Sequence, residues 1–184
     1  MATVETLITA EEFGAMPDDG RCAELVRGRI VEMPPPRFRH GSVCVRVSRL
    51  LGNHAEEHDL GHVLGGDVGI VTERDPDTLR GADVVFISYA RWPRERVADE
   101  YLNIAPELVI EVRSPSDRRG EVEEKVAEYL AAGVLIVCVL DPQDRSAWVH
   151  SGDRPPVLLG PDAELVFPGW LGDFRIIVRS LFEK

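Results

Sequence analysis

The sequence predicts one α/β domain, a mixed central sheet flanked by helices with extra β-hairpins at both ends of the chain. Three observations lead there. Strand-like runs HVLGGDVGIVT (62–72), ADVVFIS (82–88) and PELVIEVRS (106–114) follow one segment of helical periodicity and precede another, which a fourth apolar run closes. Helix-spaced and strand-spaced apolar patterns therefore alternate along the chain. The 184 residues suffice for one domain with a substantial core, but not comfortably for two.

Taken in order, residues 1–36 predict a helix and a hairpin. Thr9-Ala10-Glu11-Glu12 has the form of a capping box, which starts a short helix at Ala10 that stops near Pro17. CAELVRGRIVEM alternates on both sides of Arg27-Gly28, a hairpin signal that Pro34-Pro35-Pro36 ends. Residues 40–142 form an αβββαβ core. From His40 to His58, Val43, Val47, Leu50 and Leu51 recur at helical spacing. The three strands follow, with RDPDTLRG as the loop between the first two. Glu121 to Ala132 predicts a helix with Val122, Val126, Tyr129 and Leu130 on one stripe and Gly133 after its end. LIVCVLDP is the fourth strand. Residues 143–184 are a β extension built from SAWVHSG, PPVLLG and FRIIV. No internal repeat or linker interrupts the chain.

A composition of 44% hydrophobic and 29% charged residues is globular rather than disordered. The first 20 residues are acidic and lack an apolar segment, so no signal peptide is expected. The longest apolar stretch, GVLIVCVL, falls far short of the roughly 20 residues that span a bilayer. A soluble cytoplasmic protein is expected. Cys22, Cys44 and Cys138 have no C-x-x-C spacing, which argues against a disulfide framework or a cysteine metal knuckle and predicts small buried apolar groups. The net charge of −11 argues against a nucleic-acid coat protein. Yet residues 21–50 hold seven arginines against Glu24 and Glu32, a basic patch on an acidic body. Such a patch suits a phosphate backbone, an acidic protein partner or simply a solvated face.

Glu111 is the discordant letter in LVIEV, because an ionised carboxylate inside a sheet costs several kcal/mol or more without a partner. Asp83 opens the preceding strand. If the two strands are neighbours, the carboxylates converge, and two hard oxygen ligands with room for water describe a Mg²⁺ or Mn²⁺ site. Equally open is an ion pair of Glu111 with Arg113 or a helix arginine. Lys125, the internal member of only two lysines among 21 basic residues, lies at the margin of its helix stripe. Its stem could carry the ammonium towards the carboxylates, or it could form an exposed Glu121–Lys125 pair.

TAEEF, AELVRGRIVEM with its prolines, His40, ADVVFIS, PELVIEVRSPS, EKVAEYLAAGV, the DP after the fourth strand and PGW…LF together resemble the Uma-two family, restriction-endonuclease-like members of the PD-(D/E)XK nuclease superfamily. The likeness runs from Thr9 almost to the end. It implies a restriction-endonuclease-like fold and a metal-dependent endonuclease that hydrolyses phosphodiester bonds. Asp83 and Glu111 match the acidic pair, and Lys125 matches a lysine moved from strand to helix. Glu24 falls on a recurrent acidic position and is an additional candidate for the implied site. The implied site holds Mg²⁺, with Mn²⁺ as substitute, on Asp83, Glu111 and the backbone carbonyl of Val112. The implied partner is nucleic acid, expected to be DNA, steered by arginines near 37–49, and a homodimer suits two-strand cutting. Ala82 replaces the usual proline before the first acid, and Arg113 stands where the superfamily has its lysine.

Other readings compete. His54, His58 and His62 recur every four residues as a candidate zinc set, but HAEEH is not H-E-x-x-H and Gly61 breaks the helix before His62. Ser114 and Ser116 lack a G-x-S-x-G context, and LGGDVG is no dinucleotide loop. A catalytically inactive nuclease-fold binding or assembly module is the alternative of a different class.

Overall fold

The computed structural model describes residues 6–17, 20–152 and 154–183. Residues 1–5 of the acidic start, the Asp18–Asp19 pair, Asp153 and the terminal Lys184 lie outside the described residues. Thr9 caps α1 (Ala10–Gly14): its hydroxyl accepts from Glu12 N at 3.1 Å, and the Glu12 carboxylate accepts from Thr9 N at 2.8 Å. β1 (Ala23–Val26) and β2 (Arg29–Glu32) join through Arg27 and Gly28, both left-handed at φ 50° and 75°. That pair matches the twist of a two-residue hairpin.

Helix α2 (Phe38–Glu57) buries Val43, Val47, Leu51 and Ala55 at four-residue intervals. β3 (Gly61–Glu73) and β4 (Thr78–Ser88) make a long hairpin, followed by β5 (Leu108–Val112), α3 (Arg119–Ala131) and β6 (Ile136–Asp141). β7 (Ser146–Ser151), β8 (Arg154–Leu159) and the small pair β9 (Glu164–Val166) and β10 (Arg175–Ile177) complete the chain. β4 starts earlier than its sequence pattern implies, because Thr78 and Leu79 are buried and Leu79 pairs with Leu25 of β1. β5 is shorter than expected at its start, where the Glu107 carboxylate accepts from Ser88 N and Oγ instead. No helix among the described residues is long and apolar enough to cross a membrane.

The large sheet runs β2-β1-β4-β5-β6-β7-β8, with β3 also paired to β4, and only β5–β6 is parallel. On one face α2 packs over Val84, Phe86, Leu108, Ile110, Cys138 and Leu140, joined by the C-terminal Phe167 and Leu171. On the other face, Val126 and Tyr129 of α3 pack with Val85, Val109, Val137 and Val139. Burying each such side chain is worth about 1.5–3 kcal/mol, so two independent layers clamp β4 to β6.

One topological detail positions the site. β3 occupies one edge of β4 along its length, because Leu79 pairs with Val71 and Val84 with Gly65. The other edge is divided between two strands: Leu79 meets Leu25 of β1, while Val84–Phe86 meet Ile110–Leu108 of β5. Between them lies a notch, residues 80–83, without a strand partner on that edge. Opposite it, β3 bulges, so that Gly66 and Asp67 face the single residue Asp83. Both bulge residues are left-handed, at φ 95° and 58°, and such two-for-one bulges re-aim side chains.

Candidate metal and nucleic-acid site

In the notch, side chains take over the backbone hydrogen bonds that a strand would have made. Gly81 N donates to Glu24 Oε1 at 3.0 Å, and Lys125 Nζ donates to Gly81 O at 2.8 Å. Val112 N, at the end of β5, donates to Asp83 Oδ2 at 2.7 Å. An unpaired backbone group there would cost about 1–3 kcal/mol, so each of these polar side chains is fixed by the fold itself.

Glu111 stands directly across from Asp83 by continuation of the β4–β5 register. Its side chain faces α3, where Lys125 Nζ lies 3.1 Å from Oε2 and Tyr129 Oη donates to Oε1 at 2.9 Å. Asp83 turns instead towards α2, with His40 Nε2 at 3.2 Å. Simple alternation would put both acids on one face. The pleat slips at Asp83, since Ala82 belongs to the α3-side core and Val84 to the α2-side core, with the β3 bulge opposite. The two carboxylates nevertheless line one cleft of about 610 Å³, together with Glu24, His40, Asp67 and Lys125.

Lys125 touches three acceptors: Gly81 O, Glu111 Oε2 and, at 3.0 Å, Glu24 Oε1. An ammonium has three donors, so all are engaged. Glu24 also receives Arg80 Nη1 at 2.8 Å, and Arg80 Nε reaches Glu128 Oε2 at 2.5 Å. Burial opposes ionisation of Glu24, but Lys125 and Arg80 outweigh it and hold its carboxyl below the ordinary range. Glu111 has only a share of one ammonium and feels the like charge of Asp83. Burial raises it from 4.5 to about 7 despite Lys125 and the Tyr129 hydroxyl. Lys125, facing two carboxylates, is held charged against the desolvation of its own burial. Asp67 is raised by burial and by Asp83.

Glu24, Glu111 and Glu128 thus share two permanent cations, Arg80 and Lys125, while Asp83 has His40 as its side-chain partner and Asp67 adds a further carboxylate to the cleft. The excess negative charge, carried on hard oxygens around an open cleft, fits a small divalent cation. Asp83, Glu111 and Val112 all line this cleft, Asp83 from the α2 side and Glu111 from the α3 side.

Several sequence expectations change. Lys125 does not pair with Glu121, whose carboxylate serves the start of α3 by accepting from Arg118 N at 3.4 Å. Arg113 is not the partner of Glu111; its guanidinium meets Asp141 at 2.6 Å. Cys138 is buried and Cys44 half-buried, but Cys22 is exposed, because it precedes the hairpin at the cleft rim. Of the histidine series, His54 and His58 stack at 4.2 Å beside Asp173, whereas His62 turns to Pro93 O and Tyr89. His54 Nε2 is taken by Leu171 O at 2.9 Å and His58 Nδ1 by His54 O at 3.0 Å, so the rings serve the fold. Of the basic segment, Arg37 lines the cleft, while Arg27 pairs with Glu124.

The site also contains residues that the sequence reading left out. Asp67 had a signal, Gly65-Gly66-Asp67 inside a strand pattern, which marks a bulge. Tyr129 read as core stripe, and nothing local reveals that its hydroxyl reaches Glu111. Arg80 lay in an expected loop, and His40 was noted only as the residue opening a helix.

A family model described as "Uma2: Putative restriction endonuclease" matches residues 10–174. Among solved structures, the chain is similar to a "putative nuclease belonging to DUF820" from Anabaena variabilis ATCC 29413. Identity is 21% over 95% of this chain and 97% of that one, with a TM-score of 0.83, a likeness that shows the shared fold. No curated protein matches the chain.

Proposed function

The chain belongs to the Uma2 family, and from that premise we propose that it is a metal-dependent endonuclease acting on DNA, with Asp83, Glu111 and the Val112 carbonyl as the ligands of Mg²⁺. The observation that carries the reading is the surplus of carboxylate charge in the cleft, where a half-buried Glu111 is raised to about 7 with only part of an ammonium to offset it. A divalent ion supplies what is missing. When bound, it contributes Lewis acidity and positive charge at the scissile phosphate.

The protein's own groups do the rest. Asp83 is oriented by Val112 N–H and His40, and Glu111 by Tyr129 and Lys125, so little reorganisation accompanies substrate binding. Because its three donors are already committed, Lys125 acts as a fixed positive charge beside the phosphate rather than as a proton donor. Glu24 is a positioning residue that, with Arg80, holds this ammonium in place. Arg37 and Arg21 on the cleft wall are suited to the phosphate backbone. Two copies about a two-fold axis would cut both strands of a duplex.

Cleavage of supercoiled and single-stranded DNA in Mg²⁺, compared for wild type and Glu111→Gln, tests the proposal. Wild type should cut and the variant should not. Equal cleavage by both would remove Glu111 from the chemistry. Metal binding without cleavage of any nucleic acid would leave a nuclease-fold binding module.

A further inference from the structure

Beside the all-oxygen cluster, α2 offers ligands of a different chemical kind. His40 and Cys44 are one helical turn apart, so their side chains share a face, and that face looks onto Asp83. His40 Nε2 lies 3.2 Å from the Asp83 carboxylate, and His40 Nδ1 lies 3.6 Å from Cys44 Sγ. A ring nitrogen, the sulfur and a carboxylate oxygen all fall within 4.8 Å of one another. Zinc–sulfur and zinc–nitrogen bonds of about 2.3 and 2.0–2.1 Å, at a tetrahedral angle, set the two ligand atoms about 3.5 Å apart. The separation of His40 Nδ1 and the thiol matches, so both can reach one ion with little movement, and the Asp83 carboxylate completes the set by swinging from Nε2 towards the Nδ1 side of the ring. Without an ion, the same spacing is kept as a weak thiol–imidazole contact.

The ligand type decides the cation. A thiolate beside an imidazole and one carboxylate selects a borderline or thiophilic ion over Mg²⁺, which prefers oxygen throughout. We infer that His40, Cys44 and Asp83 form a second cation site, for Zn²⁺ or a similar thiophilic divalent ion, adjoining the Asp83–Glu111 site and sharing Asp83 with it. On binding, the Cys44 thiol releases its proton to solvent and a metal–sulfur bond forms. His40 contributes a ring lone pair, Asp83 an oxygen, and a fourth position remains for water. Burial and the neighbouring Asp83 and Asp67 carboxylates keep the thiol protonated while no cation is present. Asp83 is common to both sites but neither Glu111 nor Lys125 is a ligand here, so Glu111→Gln separates a failure of this site from a failure of the nuclease reading.

Titration of the chelator-stripped full chain with Co²⁺, followed by absorption, tests it. Wild type should develop a thiolate-to-cobalt charge-transfer band with strong tetrahedral d–d bands, and Zn²⁺ should abolish both by displacement. Glu111→Gln should retain these bands even though it loses the neighbouring all-oxygen site. Cys44→Ser, Cys44→Ala and His40→Asn, each checked for native circular dichroism, should lose the band and bind Co²⁺ more than about 100-fold more weakly, beyond the loss expected for an outer-sphere partner. Co²⁺ bound without a thiolate band, a band surviving Cys44 substitution (the mark of exposed Cys22), or loss of the band in Glu111→Gln would each overturn the inference.

Discussion

In the metal-free protein, Glu111 should make stability fall as pH rises, and Glu111→Gln should remove that dependence. The native carboxyl titrates near 7 and the unfolded one near its ordinary 4.5. Between those values the native state binds the proton more tightly than the unfolded state, so the contribution is present below 4.5 and is lost as pH rises through 7. With one pKa unit worth 1.36 kcal/mol, the term changes by about 2.5 kcal/mol between pH 5 and pH 8. Lys125 and Tyr129, which feel Glu111, are held protonated above this window, and groups remote from Glu111 cancel from the difference. Urea unfolding with a chelator present, followed by tryptophan fluorescence, gives the free energies. The wild-type-minus-variant difference should become less favourable by that amount from pH 5 to pH 8, and saturating Mg²⁺ should flatten it. An unchanged difference, or one of opposite sign, would refute the claim that Glu111 is a carboxylate short of positive charge.

Two further outcomes follow from the same network. Lys125→Met should lower cleavage more than about 100-fold, the scale of removing one preorganised electrostatic contact, while Mn²⁺ affinity by calorimetry is unchanged or tighter because a competing cation has gone. Arg80→Met leaves the half-buried Glu128 without its guanidinium and the buried Glu24 with Lys125 alone, and should cost about 3 kcal/mol in urea unfolding; Arg80→Met combined with Glu128→Met should recover part of that loss.

The sequence revealed local rules well. The Thr9 cap, the Arg27-Gly28 turn and the α2 stripe each depend on residues within a turn or two of each other, and each stands in the structure, the stripe with Ala55 buried and Leu50 only half-buried. Glu111 was conspicuous because a carboxylate does not belong among Val109, Ile110 and Val112. The notch was not legible, since it arises where β1 and β5, more than 80 residues apart, share one edge of β4. Alternation also failed at Asp83, where the bulge at Gly66–Asp67 shifts the pleat, and the same bulge delivers a carboxylate that strand periodicity cannot foresee. Strand β9 escaped notice because three residues with only Leu165 buried carry too little pattern. Cys22 and Cys44 were misjudged for a related reason: burial of a small residue depends on tertiary neighbours, not on spacing.

A crystal of the protein soaked in Mn²⁺ and measured for anomalous scattering tests the metal-site proposal most directly. The account predicts a peak between the Asp83 and Glu111 carboxylates, within coordinating distance of Val112 O. Fully occupied Mn²⁺ elsewhere on the molecule, with no density between those two side chains, would contradict it.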